Sequence, residues 1–176
     1  MKASIFVGTS LDGFIARTNG ELDFLHVPGA GENGYDEFIA TVDAVVMGRN
    51  TFETVLGFQL KTWPYRKPVI ALSTRPLPPV PPDAKVERME GDPGDIVRQL
   101  ADQGIEHIYV DGGITIQRFL DAGLIDRIIV TRVPVLIGSG IPLFGALAQD
   151  IPLRHVATRE LSGGLVQSEY EVARPA

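Results

Sequence analysis

Gly48-Arg49-Asn50-Thr51 sets a residue without a side chain directly before a guanidinium, an amide and a hydroxyl. The apolar run Ala44 to Met47 ahead of it is too short for a helix and reads as a strand, and Thr51 to Leu56 behind it reads as a short helix. Strand, glycine turn and helix start together make an anion site, because unpaired N–H groups and the positive dipole end converge there. Arg49 adds a fork matched to phosphate oxygens. One glycine fits an ordinary strand-to-helix turn equally well. A second junction follows Glu106 to Asp111, where Gly112-Gly113 precede a helix from about Thr115 to Ala122. Two such junctions after neighbouring strands would bracket a diphosphate. The strand-like run from Pro68 ends in Ser73-Thr74-Arg75, two hydroxyls and a guanidinium where parallel sheets hold their ligands. Neither junction is a full G-x-G-x-x-G fingerprint, and there is no G-x-x-x-x-G-K-[ST] loop, which argues against a standard Rossmann or P-loop enzyme.

The composition narrows the classes further. The chain has 176 residues, 44% hydrophobic and 22% charged, which suits one globular domain with a real core. A net charge of −6 argues against a general nucleic-acid binder while permitting a local basic pocket. The absence of cysteine removes disulfides, thiolate zinc sites and cysteine nucleophiles. His26, His107 and His155 lack metal-ligand spacing, so no metal is expected. Met1-Lys2 leads straight into a strand-like run with no signal-peptide core and no long apolar span, so the expectation is a cytoplasmic protein off the membrane.

The elements that would position these residues alternate. Ala3 to Gly8 reads as a buried strand, Asp12-Gly13 as a turn, and Arg17 to Gly34 as a long loop of the kind that is functional or mobile. Tyr35 to Val42 reads as a helix burying Phe38, Ile39 and Val42, with Asp36 and Glu37 in its first turn, where the dipole favours acids. Lys61 to Lys67 is a polar connector and Pro76 to Pro82 a stiff one. Ala84 to Met89 suggests a strand. Asp92-Pro93 then starts a helix with Ile96, Val97, Leu100 and Ala101 as its stripe. Arg127 to Leu136 is β-rich, and the glycines of Ile137 to Phe144 suggest close backbone approach to a ligand or a neighbouring chain. The chain closes in a hairpin around Ser162-Gly163-Gly164, with Val166, Ser168, Tyr170 and Val172 on one face. The order implies an α/β fold: a mostly parallel sheet, helices on both faces, and an antiparallel edge.

Several of these segments are familiar. Val46-Met47-Gly48-Arg49-Asn50-Thr51-Phe52-Glu53 closely resembles the cofactor loop of dihydrofolate reductases, and Leu72-Ser73-Thr74-Arg75 resembles the end of that family's next cofactor strand. Ser10-Leu11-Asp12-Gly13-Phe14-Ile15-Ala16, Val110-Asp111-Gly112-Gly113 and Gly138 to Phe144 are similar to the reductase domain of the bifunctional riboflavin-biosynthesis deaminase–reductase. The two families share the dihydrofolate-reductase-like three-layer fold, and the resemblance covers nearly all of residues 1–176 as a single domain.

What the resemblance implies is an NADPH-dependent oxidoreductase. Gly48, Arg49, Asn50 and Thr51 would hold the cofactor phosphates. Ser73, Thr74 and Arg75 would sit at the 2′-phosphate, with Arg49 sharing it. Gly112 and Gly113 would admit the diphosphate, and Ala16 and Gly20 would line the nicotinamide side. Two arginines with hydroxyls suit a phosphate dianion better than a bare ribose, which favours NADPH over NADH. Hydride would pass to a C=N or C=O of a pteridine- or pyrimidine-like small molecule, as in 5-amino-6-(5-phosphoribosylamino)uracil reductase. Asp12 and Asp111, at strand ends beside the cofactor loops, are the first candidates to face the substrate; alternatively Asp12 shapes a turn and Asp111 caps a helix. A homodimer is expected, because related riboflavin domains associate and Arg127 to Phe144 offers an apolar, β-rich surface.

The departures keep two other readings open. Ile114 stands where dihydrofolate reductases commonly carry arginine, and Leu22-Asp23-Phe24 replaces their Trp and Pro. Only Asp36 or Glu37 offers the acid that a true dihydrofolate reductase would use. Phe6 stands where the riboflavin reductases carry lysine, and their phosphosugar-binding segment is not recognisable in Phe52 to Leu60. The alternatives are a dihydrofolate reductase and a non-catalytic nucleotide-binding domain.

Overall fold

The computed structural model describes residues 1–58, 60 and 62–173. The expected connector Lys61 to Lys67 and the segment Phe52 to Leu60 each include a residue outside the described ones, Lys61 and Gln59, and the expected domain of 1–176 reaches beyond them at its end.

The first strand in sequence is central in space. β1 (Lys2–Ser10) is an almost unbroken apolar run with its interior buried on both faces, the pattern a parallel strand needs when helices cover both sides. It lies between β6 (His107–Asp111) and β7 (Arg127–Val133), and the order continues outward through β3 (Ala44–Gly48), β4 (Val69–Leu72) and β5 (Val86–Met89) on the β6 side. All six of these strands are parallel. Beyond β7 come β10 (Leu165–Val172) and β9 (Leu153–Leu161), each antiparallel to its neighbour, which completes an eight-stranded sheet. The mostly parallel sheet with an antiparallel hairpin at its edge is therefore present.

Helices cover both faces. α3 (Pro93–Asp102) and α4 (Gly113–Asp121) bury Ile96, Leu100, Ile116 and Phe119 against Ala3, Ile5, Val46 and Val110. On the opposite face α1 (Tyr35–Ala40) and α2 (Arg49–Gly57) bury Phe38, Phe52 and Val55 against Phe6, Val45, Met47 and Tyr109. The alternation of Val45 and Met47 with Val46 is the two-residue period of a strand divided between two cores.

The details differ from the sequence reading in four places. α2 and α4 begin at Arg49 and Gly113, two residues earlier than the periodicity indicates, because a single glycine completes each turn and the helix follows at once. Asp92 occupies the N-cap position before Pro93, but its side chain makes no capping bond; its carbonyl accepts from Asp95 N and Ile96 N instead. In the final hairpin Val166 is exposed while Gln167 and Ser168 are buried, the reverse of a simple apolar-in pattern. Gln167 tolerates this because its amide bonds to Thr131 Oγ1 at 2.8 Å, to the Asn33 carbonyl and to the Arg159 guanidinium. Of the glycines after Ile137, Gly140 makes a close approach within the chain: a Cβ there would run into the Ala16 carbonyl, where β2 (Phe14–Ala16) pairs with β8 (Ile141–Pro142).

Phe119 is wholly buried among Ile116, Leu100 and the β1 side chains. Phe119→Ala is expected to lower unfolding free energy by about 3–5 kcal/mol, read as an earlier urea midpoint at unchanged slope. A shift under about 1 kcal/mol would show that this core collapses around the void.

Candidate functional site

Strand β3 runs into α2 through Gly48, and its neighbour β6 runs into α4 through Gly112. Met47 pairs with Asp111 across the two strands, so the helices begin side by side at the carboxyl end of the sheet. The junctions interlock. A Cβ at Gly48 would lie 2.8 Å from Thr115 Oγ1, and one at Gly112 would collide with Thr51 Oγ1, so each helix seats a threonine on the other's glycine. Gly112 also has φ +91°, a conformation costly for any other residue. Neither N-cap glycine offers a side-chain acceptor to its helix. The first-turn N–H groups of both helices are therefore directed, with two dipole ends, at one place.

That place is a cleft of about 500 Å³. Ala16, Gly20, Gly48, Arg49, Asn50, Thr51, Gly112 and Gly113, all candidate cofactor residues in the sequence, line it. Ser73, Thr74 and Arg75 lie beside it rather than in its wall, and Arg49 joins them to it: its Nη1 donates to Ser73 Oγ at 3.0 Å and to the Pro76 carbonyl at 2.8 Å. Arg49 Nε also stands 2.7 Å from Glu53 Oε1, one turn along α2, so part of its charge is already balanced. Arg75 is exposed beyond it. Among the described residues the charged side chains lining the cleft are Arg49, Arg118 and Asp111. Both arginines lean toward the β4–β5 side, Arg118 through Gly91 O and Asp92 Oδ1 at 3.4 Å each.

Asp111 marks the opposite, β6–β1 side. Its Oδ1 accepts the Gly112 N–H at 2.8 Å, and the aromatic residues Phe6, Tyr65 and Tyr109 line the cleft with it. Phe6 stacks on Phe38 with centroids 5.0 Å apart, and Tyr35 meets Phe6 at 5.6 Å and Tyr109 at 6.4 Å. Tyr65 lines the cleft from the connector and touches buried Trp63 at 5.7 Å. Burial pushes the Asp111 carboxyl up to about 6, against the opposing pull of the Gly112 N–H and the neighbouring Tyr109 hydroxyl. Burial, with the Asp111 charge added, pushes Tyr35 up to about 12 and raises Tyr65 and Tyr109 as well. The Tyr109 hydroxyl donates a hydrogen bond to the Phe6 carbonyl at 2.9 Å.

The remaining predicted acids stand elsewhere. Asp12 accepts from Gly138 N at 2.8 Å and from Ile137 N at 3.3 Å. The Ser10 hydroxyl and these N–H groups hold its carboxyl below the ordinary range. It fixes the loop before β8 and is not among the residues that line the cleft. Asp36 and Glu37 are exposed because α1 turns Phe38 inward; Glu37 faces a separate depression beside Arg127 and Arg159. Sequence reasoning missed Tyr35, Tyr65 and Tyr109. Tyr109 was findable, two residues before Asp111 and therefore on the same face of β6; nothing in the connector marked Tyr65.

The family model described as the RibD C-terminal domain matches residues 2–167. The Bacillus subtilis protein YwjB, itself uncharacterised, is 33% identical over 171 residues, which covers 96% of this chain and 97% of that one. A Shewanella sp. PV-4 crystal structure, whose name places it as a candidate in riboflavin biosynthesis, is 40% identical with a TM-score of 0.92, over 99% of this chain and 100% of that one. Dihydrofolate reductase of Enterococcus faecalis shares the fold with a TM-score of 0.69 at 17% identity, over 98% and 97% of the two chains. No helix among the described residues is long and apolar enough to cross a membrane.

Between about pH 4 and pH 6 the native chain holds the Asp111 proton more tightly than the unfolded chain does, so stability falls as pH rises through that window. Asp111→Asn removes the titration. The variant is expected to gain on the parent from pH 4 to pH 8 by at most about 3 kcal/mol, measured by urea unfolding across that range. Identical pH profiles for the two proteins would refute the raised carboxyl.

Proposed function

Because this chain belongs to the RibD C-terminal domain family, we propose that it is an NADPH-dependent reductase acting on a pteridine- or pyrimidine-like small molecule. The observation that carries this reading is the pair of interlocked glycine junctions, whose unpaired N–H groups converge on one cleft with a protonatable carboxyl on its far side. The residues suit the cofactor. The first turns of α2 and α4 would hold its diphosphate, while Arg49, Ser73, Thr74 and Arg75 would hold the 2′-phosphate. Ala16 and Gly20 would flank the nicotinamide. The Enterococcus faecalis neighbour, complexed with NADP(H), supports the same cofactor.

When bound, NADPH supplies a hydride from C4 of its nicotinamide. The chain's own part is to hold the acceptor against that face, exclude water with Phe6, Leu22, Leu25 and Tyr65, and deliver a proton. Asp111 Oδ1 is engaged by Gly112 N, which leaves Oδ2 to carry that proton, and a carboxyl raised to about 6 is protonated in part near neutrality. The dihydrofolate reductase reading needs an acid on α1, and Asp36 and Glu37 lie outside the cleft. We place the reaction in the cytoplasm.

The cofactor assignment is tested by titrating NADPH and NADH while following Trp63 emission, since its ring abuts the cleft residue Tyr65. The parent is expected to prefer NADPH, and Arg49→Ala with Arg75→Ala to lose at least about tenfold more affinity for NADPH than for NADH, as expected of charged hydrogen bonds. Equal loss would remove the 2′-phosphate site.

We also propose a homodimer. β7 pairs on both edges, so Arg127 to Val133 is interior and not the surface expected from the sequence. The outer edge of β9 is open instead, with Leu153 and Val156 exposed, and such edges pair readily with a second strand. Sedimentation equilibrium is expected to give twice the 19.1 kDa chain mass; a single 19.1 kDa species at all loadings would dismiss the dimer.

A further inference from the structure

The cleft's charge is divided along the sheet. Arg49 and Arg118 lean toward β4 and β5, where the proposed cofactor phosphates would lie. Asp111 ends β6, two strands away from β4 and between β3 and β1, and lines the cleft with Phe6, Leu25, Val55, Tyr65 and Tyr109. Among the described lining residues no cation shares that side. A phosphate brought there would meet a carboxylate rather than a guanidinium and would surrender its hydration without a counter-charge. A flat ring would instead exchange water for aromatic faces, with phenol and carboxyl oxygens in reach of its edge.

The electrostatics of the aromatic group point the same way. Tyr65 and Tyr109 line the cleft together with Asp111, and Tyr35 packs behind them against the Tyr109 ring at 6.4 Å. Burial raises all three, so they stay neutral near pH 8; Tyr109, whose proton is committed to the Phe6 carbonyl, keeps acceptor capacity, and Tyr65 can present a donor as well. A carboxyl among neutral phenols is built for the amide or amidine edge of an uncharged heterocycle.

Resting on the reductase reading above, we propose that the Asp111 side of the cleft takes an uncharged planar N-heterocycle without a phosphate group and discriminates against its phosphorylated counterpart. The substrate class is thereby a free base or nucleoside-like ring, distinct from a phosphosugar conjugate.

The test is a matched pair, 5-amino-6-ribosylaminouracil and its 5′-phosphate, titrated calorimetrically into NADP⁺-saturated protein at pH 8, above the raised value of Asp111. The phosphate-free ligand is expected to bind at least about tenfold more tightly, a difference equal to about 1.4 kcal/mol. Asp111→Asn keeps the hydrogen-bonding edge without the charge and is expected to narrow the gap by improving the phosphorylated ligand. Lys61→Ala, at a position outside the described residues, is expected to leave the ratio unchanged. Equal or tighter binding of the phosphate would overturn the proposal, as would its dependence on Lys61 or failure of both ligands to bind. The NADP⁺ saturation step reports separately on the cofactor site, so failure there is distinguishable from failure of the ring specificity.

Discussion

Everything at the carboxyl end of the sheet depends on how closely α2 and α4 approach each other. Thr51 and Thr115 rest where side chains at Gly112 and Gly48 would be, so neither helix start can move without displacing the other. Packed interiors transmit such constraints because they contain little free volume. The same contact aligns two sets of orphan N–H groups, so a steric fact about two glycines becomes an electrostatic fact about the space above them. Gly113 extends the constraint upward, since a Cβ there would press on Ile15 at 2.9 Å and on the Pro142 carbonyl at 3.3 Å, which brings the β2–β8 pair down as a cover.

Much of this was legible in the residues and some was not. Strand, glycine and helix succeed one another locally, so Gly48 to Thr51 and Gly112-Gly113 could be found from short-range patterns alone, and the family resemblance put them in one fold. The acids were harder because an Asp beside a turn has several uses. Asp12 and Asp111 both follow or end apolar strands, yet one pins a loop to Gly138 and the other enters the cleft. That choice depends on which way each strand's face is turned and, for Asp12, on a loop that arrives 125 and 126 residues later. The tyrosines were invisible for the same reason: they come from a helix start, a connector and a strand, and only the assembled sheet brings them together. The hairpin misled for a different reason. Gln167 is buried because Asn33, Thr131 and Arg159 satisfy it, and partners so far apart leave no periodic trace.

The site then has two characters. Its β4–β5 side gathers guanidinium and hydroxyl groups around a turn, with Ser73 Oγ tied to Arg49 and to the Arg75 carbonyl. Its β6–β1 side gathers rings about one carboxyl. The first suits charge recognition at an exposed rim, and the second suits desolvation of a flat molecule, which strengthens each polar contact it retains. Phe6 belongs to the second side, in contact with both Phe38 and Tyr35, so a substitution that looks minor in sequence alters the chemistry of an entire wall.

The central place of β1 has a consequence for synthesis. Its two partners, β6 and β7, end at Asp111 and Val133, so the ribosome must add more than a hundred residues before the first strand can pair on both edges. At roughly 5–20 residues per second that interval lasts on the order of ten seconds. Until β6 follows, the run Ala3 to Val7, destined for complete enclosure, has neither of its partner strands, and until β7 follows one of its edges stays open. Late completion of the central strand is thus built into the topology.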